Sequence, residues 1–289
     1  MSDKRKILVQ LDADVQPSLF DRVVAIDAGV DELFSYGEVK KEQVKDLVHG
    51  CIFTRGPKDL CRTAMYIGGS DVVLAEELLA EAQKHLLPQF GLSVSMMLDA
   101  NGANTTAAAA VRSASRHVEL NQSEAIVIGA GPVGQRIALL LISQGATVYL
   151  ADRLPATTIE ACRRIKERSP EARVTPVIIR EESDIAFALE TAELIIAAGP
   201  AGKRVLSSGM WQLATKLKTM IDLNAVPPAG IDGIEAMDAG KIRNNVACYG
   251  PLGAGGLKMK IHKAAIASLY TNHQLVLDSQ AIYDLSASV

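Results

Sequence analysis

Three glycines in the middle of the chain have the spacing of a phosphate-binding loop. The segment EAIVIGAGPVGQRIALLLISQGATVYLADR contains Gly129, Gly131 and Gly134 in the order GxGxxG, with Pro132 and Val133 completing the motif. An apolar run precedes the motif, and a helical pattern and a second apolar run follow it. In such a strand–turn–helix unit, the glycines permit a tight turn, close approach of a pyrophosphate, and close packing of the helix on the strand. The pattern predicts a dinucleotide site at a helix N-terminus; the alternative is a glycine turn that binds nothing.

The second apolar run ends in Asp152, which is followed by Arg153. An aspartate at this position accepts hydrogen bonds from the adenosine ribose, and its carboxylate repels a 2′-phosphate, so the prediction is NAD. The guanidinium of Arg153 can reach a phosphate, which leaves NADP open as the alternative.

Two later strands end in small or polar residues, in AAGPAG (197–202) and DLNAVPPAG (222–230). Ligands of open α/β sheets bind at the carboxyl ends of the strands. Ala198, Gly199 and Asn224 are therefore predicted to contact the cofactor, with ordinary turn chemistry as the alternative.

The first hundred residues contain two dense groups of polar side chains. One lies in QLDADVQPSLFD, at the end of a predicted strand, and the other lies in MLDANGANTTAAAA, between a predicted strand and an alanine-rich helix. Helix capping explains some of these residues. Capping leaves most of these donors and acceptors unexplained, and Asp12, Asp14, Asp99, Asn101, Asn104, Thr105 and Thr106 would face a cleft between the domains if the strands are parallel.

Near the C-terminus, GPLGAGGLKMKIHKA places four glycines before Lys258 and Lys260. The phosphate-loop order GxxxxGK[ST] is absent, because Leu257 separates Gly256 from Lys258. If a helix begins near Leu257, the two lysines point to different faces. The prediction is a site role for Lys258, a solvated Lys260, and glycines that let the backbone pass close to the ligands.

Alternating apolar runs and helical patterns supply the elements that position these residues. The predicted strands are KILVQLDAD, CIFTRG, TAMYIGG and LSVSMMLDA in the first half, then AIVIGAG, ATVYLAD, RVTPVIIR, ELIIAAGP and KTMIDLNAV. Ser70 is the predicted N-cap of the helix in DVVLAEELLAEAQKHLL. This rhythm predicts two three-layer α/β domains with a catalytic cleft between them. Residues 1–115 form the first domain, which C-terminal helices at 257–289 complete without a further strand, and residues 116–256 form a Rossmann-type second domain.

Composition excludes several classes of function. The chain has 289 residues, a net charge of -3, and mixed acids and bases, so it lacks the electrostatic footprint of a nucleic-acid or membrane-surface protein. No run approaches the length of a membrane span, and the N-terminal run is too short for a signal peptide. Four scattered cysteines and five scattered histidines give no metal-ligand spacing. We therefore predict a cytoplasmic protein with a small-molecule partner and no metal.

Taken together, these motifs resemble the bacterial methylene-tetrahydromethanopterin dehydrogenases over nearly the whole chain. The resemblance rests on FDRVVAIDAGVDELFSYGEV, TRG with YIGG, LDANGANTTAAAA, GAGPVG, NAVPPAGIDGI and GPLGAGGLKMKIHKA, in the order of the family. It implies a tetrahydropterin-binding first domain, a nicotinamide-binding second domain, and a homo-oligomer, such as a trimer or a hexamer. Methylene-tetrahydrofolate is an alternative substrate. Strictly NADP-dependent members place a basic residue where Asp152 stands, so their cofactor choice does not carry over.

The implied reaction moves a hydride from the methylene bridge to the nicotinamide and leaves a methenyl cation. No proton leaves carbon, so the enzyme needs positioning more than a general base. Lys258 is expected to orient the pterin from a distance, with Asp14, Asn101 and Thr105 or Thr106 at the other edge. The rival interpretations are a shikimate-type or hydroxy-acid dehydrogenase, which requires a base for the hydroxyl proton, and an NAD(P)-binding redox sensor without turnover.

Overall fold

The chain folds into two compact units in a computed structural model that describes residues 4–289. Unit 1 runs to Thr105 and resumes from Met259 to Val289; unit 2 is Thr106–Lys258. The sequence analysis placed these boundaries at 115/116 and 256/257. The difference arises because the chain leaves and re-enters unit 1 inside continuous helices, where no loop composition marks a boundary.

Unit 1 contains a five-stranded parallel sheet with the order β12-β4-β3-β1-β2. The central strand β3 is buried at every position, as expected where helices cover both faces of a parallel sheet. Strand β2, which pairs with β1 at the edge of the sheet, has mixed exposure. The strands are β1 (Ile7–Asp12), β2 (Glu32–Tyr36), β3 (Thr63–Gly68), β4 (Ser95–Leu98) and β12 (Val276–Leu277).

The helices of unit 1 alternate with its strands. Asp71 begins the third of them, because its Oδ1 accepts hydrogen bonds from the N–H groups of Val73 and Leu74 at 2.9 and 3.0 Å. Short 3-10 turns complete the connections. The helices are α1 (Leu19–Asp27), α2 (Lys41–Phe53), α3 (Val72–Lys84) and α10 (Ser279–Leu285), while α4 (Ala103–Ala114) and α9 (Pro251–Ser268) each cross a unit boundary.

Unit 2 contains a seven-stranded sheet with the order β10-β11-β9-β8-β5-β6-β7, in which β10 alone is antiparallel to its neighbour. The order β7-β6-β5-β8-β9 is doubly wound, with a switch point between β5 and β8. Its strands are β5 (Glu124–Ile128), β6 (Thr147–Asp152), β7 (Val174–Ile178), β8 (Leu194–Ala197), β9 (Thr219–Asp222), β10 (Ala239–Arg243) and β11 (Val246–Tyr249). Its own helices are α5 (Pro132–Ser143), α6 (Pro155–Arg168), α7 (Ala186–Leu189) and α8 (Ser208–Trp211).

Strand register brings the predicted site segments to the carboxyl edge of each sheet. In unit 1, Asp12 pairs with Gly68 and Ile67 pairs with Leu98, so three strands end together. In unit 2, Ile128 pairs with both Ala151 and Ala197. The loops after these strands therefore share one edge within each unit, as the α/β rule requires.

Several local predictions were wrong. CIFTRG is not a strand: Cys51 and Ile52 are buried at helical spacing from Val44 and Val48, at the end of α2. The C-terminal segment contains a strand, β12, whose two residues are too few to form a pattern. Asp71, and not Ser70, caps α3.

Candidate functional site

The glycine loop of unit 2 combines two tight contacts with one open position. Gly129 has a φ of +116°, and a Cβ there would lie 2.4 Å from the carbonyl oxygen of Ala198. At Gly134, a Cβ would lie 1.8 Å from the carbonyl oxygen of Gly129. Apart from its chain neighbours and its own helix backbone, no atom of residues 4–289 lies within 4 Å of the position that a Cβ of Gly131 would occupy. The first and third glycines are thus required by packing, while the second leaves space in front of the helix.

That space lies at the N-terminus of α5, where Gly131 is the N-cap and Pro132 opens the helix. The cap has no side chain that occupies the first N–H groups. These groups and the helix dipole form a site for an anion, and the open position at Gly131 suits a pyrophosphate.

The Asp152 carboxylate accepts hydrogen bonds from backbone N–H groups of the glycine loop and of the turn after β6. Its Oδ2 accepts a hydrogen bond from Ala130 N–H at 2.7 Å, and its Oδ1 accepts from Arg153 N–H at 2.6 Å and Leu154 N–H at 3.3 Å. A carboxylate has about four acceptor positions, so about one remains for a ribose hydroxyl. Contact of Asp152 with the cofactor stays a prediction.

A groove of about 920 Å³ lies at this edge of the sheet. It is more basic than the motif alone indicated, because the strand ends also bring Arg180, Lys203 and Arg204 to its walls. A search for charged residues at the end of each predicted strand would have found Arg180. The lining residues are Ile128, Gly129, Asp152, Arg153, Leu154, Ile179, Arg180, Glu181, Glu182, Gly199, Pro200, Lys203, Arg204 and Val205.

The side chain of Asn224 makes hydrogen bonds to backbone groups of the loops after β8 and β9. Its Oδ1 accepts hydrogen bonds from Gly202 N–H and Val226 N–H, both at 3.1 Å, and its Nδ2 donates to Pro228 O at 2.9 Å. This residue therefore joins the loops after β8 and β9. Its direct contact with a cofactor stays a prediction, as does that of Ala198, whose carbonyl is packed against Gly129.

In unit 1, the two aspartates after β1 have different environments. Asp12 is fully buried and accepts hydrogen bonds from Asp14 N–H at 2.9 Å and Ser18 N–H at 3.1 Å; burial raises its pKa above the ordinary value, against these bonds. Asp14 is partly exposed and accepts from the N–H and hydroxyl of Ser70 at 2.9 and 2.8 Å. Asp12 thus shapes the turn, while Ser70 holds the Asp14 carboxylate at the rim.

The second polar group divides into buried and exposed members. Asp99 caps α4: its Oδ1 accepts from the N–H groups of Asn104 and Thr105, and its Oδ2 accepts from the Thr105 hydroxyl at 2.6 Å. Asn104 donates to Leu98 O at 2.6 Å. The expected substrate role of Thr105 does not fit this geometry, because Thr105 is fully buried and its hydroxyl proton is directed to Asp99.

Asn101 is the exposed member of this group. Its φ of 53° is left-handed, a conformation that asparagine tolerates better than most residues, and its N–H donates to Gly69 O at 2.7 Å. No hydrogen bond within residues 4–289 uses its side-chain amide, which leaves that amide available to a ligand. Thr106, one turn into α4, is partly buried.

Both lysines lie inside α9, which begins at Pro251 and not near Leu257. Lys258 is partly buried and Lys260 is exposed, so the different faces expected for them are observed. The interpretation of the preceding glycines changes. A Cβ at Gly253 would lie 1.8 Å from Asp238 O, so this glycine is required by contact with the chain's own backbone.

The sequence analysis missed a buried aromatic pair in unit 1. Tyr66 of β3 stacks on His262 of α9 with ring centroids 5.9 Å apart and planes 14° apart. Burial and the nearby carboxylates, first that of Asp99, raise the pKa of Tyr66 well above its usual value, so the phenol stays neutral. In the sequence, His262 follows Lys258 by four residues, which places both on one face of a helix. This spacing was the available signal that His262 lies near the predicted site.

Within the described part of the chain, no helix is long and apolar enough to cross a membrane. Likewise, no three His, Cys, Asp or Glu side chains of residues 4–289 are grouped as metal ligands.

Two family models match the two halves of the chain. Residues 19–101 match the N-terminal model of methylene-tetrahydromethanopterin dehydrogenase, and residues 112–242 match the model of shikimate / quinate 5-dehydrogenase. The first match covers most of unit 1 up to Asn101, and the second covers the glycine loop and the groove of unit 2.

Two curated relatives from Methylorubrum extorquens align along nearly the whole chain. "Bifunctional protein MdtA" is 37% identical over 286 residues, 98% of each chain, and "NAD(P)-dependent methylenetetrahydromethanopterin dehydrogenase" is 31% identical over 307 positions, 99% of each chain. Among solved structures, shikimate 5-dehydrogenase from Listeria monocytogenes has a TM-score of 0.55 at 13% identity, over 99% of this chain and 97% of that one. The solved structure supports the two-domain α/β fold alone.

Proposed function

This chain belongs to the family of methylene-tetrahydromethanopterin dehydrogenases, and we propose that it oxidises a methylene-tetrahydropterin by transferring hydride to NAD(P). The observation that carries the proposal is the near-complete alignment with a relative of that name, which includes both the glycine loop and the Asp99–Thr106 segment. A tetrahydromethanopterin is the proposed carrier, with tetrahydrofolate as the alternative.

Unit 2 is the proposed cofactor unit. The N–H groups at the start of α5 would bind the pyrophosphate, for which Gly131 leaves space, and the remaining acceptor position of Asp152 would bind the adenosine ribose. Gly199 lines the groove without a side chain. The bound nicotinamide supplies the hydride acceptor, and the protein holds it in place.

We propose that both NAD and NADP are accepted. The Asp152 carboxylate, which would repel a 2′-phosphate, is already bound by three backbone N–H groups. Arg153, Arg180 and Lys203 line the same groove and offer positive charge to that phosphate. Glu181 and Glu182 also line the groove, so its basic side chains exceed its acidic ones by one, and this small excess supports the acceptance of NADP besides NAD.

Unit 1 is the proposed pterin unit. Hydride transfer leaves positive charge on the substrate, and the carboxylate of Asp14, which Ser70 holds at the rim, would favour that charge. The free amide of Asn101 would bind an edge of the pterin. Because no proton leaves carbon, positioning of the two rings supplies most of the acceleration, about 7–11 kcal/mol in favourable cases.

Lys258 has an orienting role in this proposal. An ammonium group close to the reacting carbon would oppose the developing cation, so it would act on a distant acceptor such as the pterin carbonyl. Thr106 would contribute a second donor, and Thr105 acts only through Asp99.

The oligomeric state and the compartment remain proposals. A homo-oligomer and a cytoplasmic location accord with the family and with the free thiols of Cys51, Cys61, Cys162 and Cys248. Light scattering on the purified chain tests the first, and fractionation of the source cells tests the second.

The function is tested by initial rates of methenyl-pterin formation with methylene-tetrahydromethanopterin or methylene-tetrahydrofolate, each with NAD and with NADP. We expect the faster turnover with the methanopterin substrate and measurable rates with both cofactors. Strict NAD use would refute the role of the basic groove residues. Absence of turnover in all four assays, with dinucleotide binding intact by calorimetry, would refute the dehydrogenase and favour a redox sensor.

A further inference from the structure

We propose that His262 is a positioning residue that holds α9 against Asp99 and thereby sets the geometry of the pterin site. The inference rests on the proposed function for its kinetic consequence. His262 is wholly buried within unit 1, and its ring is held on two sides by aromatic contacts, stacked on Tyr66 and tilted against Phe20 with centroids 6.2 Å apart. These contacts fix the ring plane, so the nitrogens have a defined direction.

That direction brings the imidazole to a buried carboxylate. Nδ1 of His262 lies 4.0 Å from Oδ2 of Asp99, and both side chains have no solvent exposure. At this distance the contact is not a direct hydrogen bond. With a proton on Nδ1, the ring directs the positive end of its N–H toward the carboxylate, and in a buried site this attraction is screened little, so the ring edge and the carboxylate constrain each other.

Asp99 connects His262 to the exposed part of the substrate segment. The same Oδ2 accepts from Thr105, Oδ1 accepts from the first N–H groups of α4, and Asn101 follows two residues later in a left-handed conformation. A displacement of Asp99 would therefore be transmitted to the Asn101 amide.

His262 also constrains α9, the helix to which it belongs. Lys258 precedes His262 by four residues in one continuous helix, so the two side chains share a face. One buried residue thus contacts the turn that carries Asn101 and belongs to the part of α9 that lies in unit 1. Neither Lys258 nor Asn101 needs to contact His262 for this to hold.

Three substitutions at His262 separate positioning from simple packing. The side-chain nitrogen of asparagine reaches about the place of Nδ1, that of glutamine about the place of Nε2, and leucine fills the volume with neither. Ile266→Ala is the matched control, because Ile266 is also wholly buried and lies one turn further along α9.

The measurements are KM and kcat for methylene-tetrahydromethanopterin, the Kd of NADP by calorimetry, and deuterium exchange of the 99–105 amides. We expect His262→Leu to raise KM by about tenfold or more, His262→Asn to stay within about threefold of wild type, and His262→Gln to fall between. Exchange at 99–105 should accelerate more in His262→Leu than in Ile266→Ala, whose buried cavity destabilises unit 1 as a whole. The Kd of NADP should not change in any variant.

Equal KM values and equal exchange at 99–105 in His262→Leu and Ile266→Ala would overturn the proposal and leave His262 a packing residue. A wild-type protein without pterin turnover would refute the proposed function alone. The exchange measurement would still decide whether His262 orders the Asp99 turn, since it requires no substrate.

Discussion

Substitution of Thr105 by valine tests whether this threonine serves the fold or the substrate. Valine has nearly the same shape and removes only the hydroxyl. In the wild-type chain that hydroxyl donates to Oδ2 of Asp99 at 2.6 Å, and both residues are fully buried. The matched control is Thr106→Val, because Thr106 is the next residue of α4 and is only partly buried.

The structure gives the size of the expected effect. Hydrogen bonds to a charged group contribute about 1.5–3 kcal/mol, and a buried acceptor that loses its donor retains the full cost of its desolvation. Thr105→Val should therefore lower the free energy of unfolding by about 1.5–3 kcal/mol. The hydroxyl of Thr106 makes no hydrogen bond within residues 4–289, so Thr106→Val should change stability by about 0.5 kcal/mol or less.

Urea unfolding followed by circular dichroism measures this difference as a shift of the midpoint at constant slope. If the two units unfold in separate transitions, the shift belongs to the transition of unit 1. Pterin KM, measured alongside, should change more for Thr106→Val if that residue contacts the substrate. A Thr105→Val protein as stable as wild type with impaired pterin binding would refute the structural role and return Thr105 to the substrate site.

Three further outcomes are expected. Arg153→Gln should lower kcat/KM for NADP by about tenfold or more and leave that for NAD within about twofold, in steady-state kinetics. Gly134→Ala should lower the melting temperature and abolish dinucleotide binding, while Gly131→Ala should keep the melting temperature and weaken only the binding measured by calorimetry. Burial raises the pKa of Asp238, but hydrogen bonds from Arg243 and a backbone N–H outweigh it and hold the pKa below 3.8. The stability from this pair is therefore present above about pH 4 and is lost as pH falls through the lowered pKa, so Arg243→Gln should lower the urea midpoint at pH 7 and progressively less below pH 4, in urea titrations at several pH values.

The fold of the glycine loop could be predicted from the sequence because its requirements are local. Gly129 and Gly134 meet backbone atoms at distances that no side chain tolerates, and the strand, turn and helix that create those contacts are contiguous in the chain. The pattern fixes where Asp152 stands. It does not reveal that three N–H groups bind the Asp152 carboxylate, since that depends on the exact turn after β6.

The polar clusters of unit 1 were harder to predict, because buried side chains that contact them come from distant positions in the sequence. Thr105 and Asn101 are both polar residues of one segment, so the sequence does not distinguish them. Only the turn at Asp99 directs Thr105 inward and Asn101 outward. The contact of Asp99 with His262 joins positions 163 residues apart. The glycine-rich start of α9 also has poor helix propensity, and packing of Gly253 on Asp238 overrides that preference.

The split course of unit 1 has a consequence for biosynthesis. Unit 2 lies within one uninterrupted stretch that ends at Lys258, whereas the sheet of unit 1 lacks its neighbour for β4 until Val276 and Leu277 have been translated. At about 5–20 residues per second, the ribosome needs roughly 10–40 s to proceed from β4 to β12. During that interval the nascent chain carries an unpaired edge beside Met96 and Met97. Unit 2 is therefore the first that can fold to completion, while the sheet of unit 1 keeps an open edge until the last part of the chain has been made.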